Sequence, residues 1–135
     1  MTQVKIKQAA ALLGVSDDTV RRWCDAGRLE STTDSAGRRV IDGTALAAFA
    51  QGLAAGADSP ARPTPSSARN RMPGLVTRVV RDTVMAQVEL QCGPFRVVSL
   101  MSREAADELG LEPGALAIAT VKSTNVVVET EEPRA

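Results

Sequence analysis

Between Gln51 and Ser67 the chain reads QGLAAGADSPARPTPSS. Pro60, Pro63 and Pro65 follow one another too closely for a helix, which each would interrupt, or for a sheet ladder, to which none can donate. Such a stretch is semi-extended, and it cuts the 135 residues into two pieces with different apolar periods. Ahead of it apolar residues recur at three-and-four spacing; behind it valine-rich runs alternate. The expected organisation is a domain over residues 1–52, a linker over 53–66, a second domain over 67–130 and a C-terminal tail over 131–135.

Composition narrows the chemistry of both pieces. There is no His, so Ser-His-Asp or Cys-His nucleophiles, His-ligated zinc and His proton shuttles are unavailable. Cys24 and Cys92 form no CxxC pair, and no cluster of ligands for a bare metal cation can be named. With no acid, base or nucleophile constellation the expectation is a protein that is not an enzyme and has no catalytic cofactor. The aromatics are Trp23, Phe49 and Phe95, too few for the stacking platforms of single-strand binders. Met1 to Gln8 read as polar and helix-forming rather than as a signal peptide, and no apolar run has the length of a membrane span. The expected setting is cytoplasmic, with no membrane partner.

In the first piece, Ile6, Ala9, Ala10 and Leu13 mark one face of a helix that Gly14 ends. Ser16 can cap a second helix, with Asp17 and Asp18 in its first turn, Val20, Trp23 and Cys24 inward, and Thr19, Arg21 and Arg22 outward. Ser35 to Gly37 reads as a hairpin turn between STT and RRVI, and Asp42 can cap a third helix over Thr44 to Ala50. Trp23 belongs to the core face with Val20 and Leu29.

The run AAALLGVSDDTVRRWCDAGRLEST followed by GRRVIDGTALAAF resembles the winged helix-turn-helix of the MerR and excisionase-like group over about residues 3–52. That resemblance implies a second helix in the DNA major groove and a wing along the backbone. It places Ser16, Thr19, Arg21 and Arg22 on the helix, and Arg28, Arg38 and Arg39 on the wing side, as contacts to double-stranded DNA. Arginine suits both tasks, reading guanine edges or holding phosphate. Arg21 and Arg22 would equally serve as a solvated face paired with Asp17, Asp18 and Asp25.

The second piece predicts strands over Gly74 to Val80, Val84 to Leu90, Phe95 to Leu100, Ala115 to Val121 and Asn125 to Glu129, with a short helix from Ser102 to Glu108. Five strands and one helix define a small OB-like β-barrel, so the whole chain is expected to be α+β in two domains. SARN at Ser67 to Asn70, PGLVTRVV, ELGLEPG and ATVKSTNVVV resemble, in that order, a Mop domain, related to TOBE, over Ser67 to Thr130.

That resemblance implies bound molybdate or tungstate, with Ser67, Arg69, Ser102, Lys122 and Ser123 as the oxyanion site. It also implies a homo-oligomer, with ligand sites at subunit interfaces. The chemistry agrees, since a tetrahedral dianion only accepts hydrogen bonds and needs cations, hydroxyls and amides around it. Combined, the two resemblances imply a molybdate-responsive DNA-binding transcriptional regulator. The second reading is an oligomeric molybdate or tungstate storage protein whose helix-turn-helix serves assembly.

Overall fold

In the computed structural model, which describes residues 2–56 and 65–131, the chain divides into two compact units, Met1–Ser59 and Pro60–Ala135. The first unit opens with a strand where the sequence reading expected a helix-forming start. This strand, β1, spans Gln3–Lys5 and pairs antiparallel with the later segment Arg39–Asp42, Val4 standing opposite Ile41. Val4 and Ile6 are both buried, so the apolar period is two as far as Ile6 and becomes helical only from there.

Helix α1, Ile6–Leu13, buries Ile6, Ala9 and Ala10 and ends at Gly14, whose φ of 69° suits a residue without Cβ. Helix α2, Asp17–Asp25, is capped by Ser16, whose hydroxyl accepts from the Thr19 amide at 3.1 Å. Strands β2, Thr32–Thr33, and β3, Arg39–Asp42, form the wing hairpin, and β1 lies along the other side of β3. The carboxylate of Asp34 ties the hairpin tip by accepting from the amides of Ala36 at 2.9 Å and Arg38 at 2.8 Å.

Asp42 caps helix α3, Gly43–Ala55, accepting from the Ala45 amide at 3.3 Å. This helix runs past the expected end at Ala50 into residues read as linker. The first proline comes only at Pro60, and Leu53, Ala54 and Ala55 favour helix enough to carry it past Gly52. The remainder of the linker, residues 57–64, lies outside the described residues. Ile41 and Val20 are fully buried at the centre of this unit, among Leu29, Leu46 and the α1 residues. Trp23 and Phe49 pack against that core with ring centroids 5.0 Å apart.

The second unit is a curled antiparallel sheet. Strand β4, Asn70–Arg81, serves two neighbours: Asn70 to Leu75 pair with β7, Leu116–Val121, and Leu75 to Arg81 pair with β5, Met85–Cys92. A register shift between Val76 and Arg78 marks the changeover. Strand β6, Phe95–Ser102, pairs with β5, which gives the order β6-β5-β4-β7. Helix α4, Arg103–Glu108, follows, burying Ala106. The alternation read from Ala86 to Leu90 holds and continues to Cys92, all four residues being buried, whereas Val84 lies outside the strand and is exposed.

The fifth strand is not formed. Ser123–Asn125 make a 3₁₀ turn, and residues 126–131 have no regular structure. NVVVE has strand-forming side chains, but a strand exists only where a partner supplies ladder hydrogen bonds, and among the described residues none does so. The sheet therefore closes only into an OB-like half-barrel. Its outer strands β6 and β7 line a common groove of about 320 Å³.

Candidate functional site

Two clusters of cations stand out, one in each unit. In the second, the β4–β7 register places Asn70 opposite Val121. The Asn70 amide donates to the Val121 carbonyl at 3.0 Å, which clamps the start of one strand to the end of the other. Ser67 and Arg69 immediately precede this clamp, and Lys122 and Ser123 immediately follow it. The structure thus brings four of the five expected oxyanion residues to one end of the sheet. Asn70 itself was missed as a site-building residue, although SARN already contained it.

All four side chains are exposed. Arg69 donates to the Ser66 carbonyl at 3.3 Å, and the Ser66 hydroxyl accepts from the Ala68 amide at 3.1 Å, so this segment is held by its own turn. Among the described residues neither Arg69 nor Lys122 pairs with a carboxylate. The contrast within the same unit is plain: Arg81 and Arg103 share Asp107, and Arg96 pairs with Glu89. Two cations with no carboxylate partner among the described residues, at the same end of the sheet as two hydroxyls, have the chemistry to receive an oxyanion.

Ser102 is not brought to them. It stands opposite Met85, at the far end of a twelve-residue β4 that rises about 3.3 Å per residue. Its hydroxyl accepts from the Ala105 amide at 3.1 Å as the cap of α4. Around it a shallow hollow is lined by Glu104, Asp107 and Glu108 as well as Arg103. Those carboxylates repel an anion, so within one chain Ser102 has a capping role.

In the first unit each expected DNA contact has a local partner. Arg21 reaches Asp18 at 3.3 Å, Arg22 the Thr19 hydroxyl at 3.2 Å, Arg38 Asp34 at 3.9 Å and Arg39 Asp25 at 3.0 Å. The Ser16 and Thr19 hydroxyls are 2.9 Å apart. Arg28 lies over Trp23 at 6.0 Å and Phe49 at 5.8 Å rather than in the wing. Exposed ion pairs of this kind contribute about 0–1 kcal/mol, so they orient the arginines without withholding them from another anion. Arg21, Arg38 and Arg39 line one cleft of about 540 Å³ together with Lys5, Ile6 and Asp25. Lys5 was missed because nothing local announces that β1 will join the wing.

Comparison with known proteins places both units. The description "TOBE domain" fits residues 66–128, and "Helix-turn-helix domain" fits residues 4–54. Over 63 residues the chain is 38% identical to molybdenum-pterin-binding protein 2 of Clostridium pasteurianum and 35% identical to protein 1 of the same organism. In each case 46% of this chain covers 93% of the relative. A molybdate binding protein from Sporomusa ovata has a solved structure that covers 50% of this chain and 100% of its own, at 28% identity and a TM-score of 0.48. The chain belongs to the TOBE-domain family represented by these molybdenum-pterin-binding proteins, and it carries a helix-turn-helix domain ahead of that region.

Among the described residues no group of His, Cys, Asp and Glu is arranged to hold a metal ion. No described helix is long and apolar enough to cross a membrane.

Proposed function

We propose that the second unit binds molybdate or tungstate, and that the chain is a DNA-binding regulator responsive to that oxyanion. The observation that carries the first half is the pairing of Asn70 with Val121, which brings Ser67, Arg69, Lys122 and Ser123 to one end of the sheet, neither cation having a carboxylate partner among the described residues. Relatives named for molybdenum-pterin binding support a molybdenum-group oxyanion as the ligand. Ser102 completes the set from a second copy of the chain, since its own copy holds it at the other end of the sheet. The anion site then lies between subunits, and occupancy stabilises one assembly over another. That assembly sets the spacing at which paired helix-turn-helix units meet DNA half-sites.

Calorimetric titration with molybdate, tungstate and sulfate tests the ligand. We expect saturable heat for the first two and loss of at least tenfold in affinity for Arg69→Ala and Lys122→Ala. Unchanged heat in both variants removes the site. Electrophoretic mobility shift with and without molybdate tests the coupling: DNA affinity indifferent to molybdate removes the regulatory coupling, and no duplex binding at all leaves a storage protein.

A further inference from the structure

The wing contains a cation that its own hairpin does not supply. Because β1 pairs with β3, Lys5 stands opposite Val40, next to Arg39. Val4 goes into the core at 7% exposure, and the alternation of a strand turns Lys5 away from it. Lys5, Arg21, Arg38 and Arg39 then line the cleft of about 540 Å³, where among the described residues Asp25 is the one carboxylate and Ile6 the one apolar residue. Four cations drawn from three elements and a hairpin tip make a place for an anion that is open to solvent on one side.

Asp25 explains how such a cleft persists without a ligand. It is the last residue of α2, where a carboxylate meets the negative end of the helix dipole and is unfavourable. Its partner is Arg39 at 3.0 Å, and both side chains are exposed, at 65% and 42%. An exposed pair of this kind exchanges readily with another anion, because water screens both states. Asp25 therefore occupies Arg39 and keeps its guanidinium aimed across the cleft.

We propose that this cleft seats one backbone phosphate of duplex DNA, with Lys5 as a direct phosphate contact and Asp25 as the internal competitor that phosphate displaces from Arg39. This deepens the reading of the first unit as a DNA reader and rests on it. The backbone is the source favoured here because Arg21 lies on α2 and Arg38 and Arg39 flank the wing. A phosphate between them is where a strand would pass from the helix in the groove to the wing beside it.

The test is fluorescence anisotropy with the full chain and a labelled duplex of mixed sequence, over a series of salt concentrations. Each neutralised phosphate contributes about 0.9 to the slope of log affinity against log salt. We expect Lys5→Gln to lower that slope by about this amount and Asp25→Asn to tighten binding a few-fold. Lys7→Gln, exposed on α1 and outside the cleft, should leave the slope unchanged. Duplex binding with the wild-type slope retained in Lys5→Gln, or not tightened in Asp25→Asn, overturns the phosphate seat while leaving the DNA-reading role intact. No duplex binding by the wild-type chain removes both. Saturable binding of inorganic phosphate, lost in Lys5→Gln, in a chain that ignores duplex makes the cleft a seat for a free anion and overturns its assignment to DNA.

Discussion

Gly74 shows how one residue can be set by a neighbour distant in sequence. A Cβ at this position would stand 2.6 Å from the Cys92 sulfur and 2.8 Å from the Gln91 carbonyl oxygen. Main-chain atoms of a paired strand cannot withdraw, so Gly74→Ala should cost about 1–3 kcal/mol in urea denaturation. Combining it with Cys92→Ala should recover little, because the Gln91 oxygen remains. In the sequence Gly74 is only the first residue of an expected strand, with nothing local to say that another backbone will come this close. Lys5 and Asn70 are similar cases. Their chemical types were legible, but the contacts that give them a place in a site come from β3 and β7.

At the scale of elements, local signals were read well where one residue organises its own neighbours. Ser16 and Asp42 each cap the helix expected of them, and Ser102, expected as the first residue of a short helix, caps it. The β4–β5 turn is another such device, since the Asp82 carboxylate accepts from the Met85 amide at 2.6 Å and the Val84 amide at 2.8 Å. Those two amides, with the Arg103 charge, hold the Asp82 pKa below its ordinary value. Protonation breaks the turn, so its contribution is complete above the ordinary aspartate pKa of about 3.9 and is lost as pH falls through the lower folded value. Asp82→Asn should therefore lower thermal stability at neutral pH and flatten its decline in that acid range.

Elements that depend on a partner were read less well. β1 was hidden because three residues carry too little pattern to outweigh the helix that follows. The Asn125 to Glu129 strand was overread because propensity says nothing about who supplies the hydrogen bonds.

For the molecule as a whole, the second unit leaves several large apolar side chains exposed. Leu116, Val127 and Val128 are 84%, 85% and 82% exposed, and Leu100 is 69% exposed. The assembly proposed above would cover these side chains, and a small domain on its own buries only about 60% of the surface its unfolded chain exposes. Val127→Asp should reduce the particle mass in light scattering and weaken molybdate binding in parallel, while each chain stays folded. A variant that keeps its mass but loses molybdate would place the anion site within one chain.

Periodicity, capping and the supply of cations and hydroxyls are properties of short stretches of chain, and the sequence by itself determined them. It thereby pointed to two units, a helix-turn-helix and a strand-rich second half, and it supplied the residue types proposed for both candidate sites. Which of those residues meet was decided only in the tertiary structure. Strand register is a competition among distant segments for burial and hydrogen bonds, and that competition set Arg69 beside Lys122, carried Lys5 to the wing, left Ser102 at the far end of the sheet and gave Val126 to Val128 no strand to join.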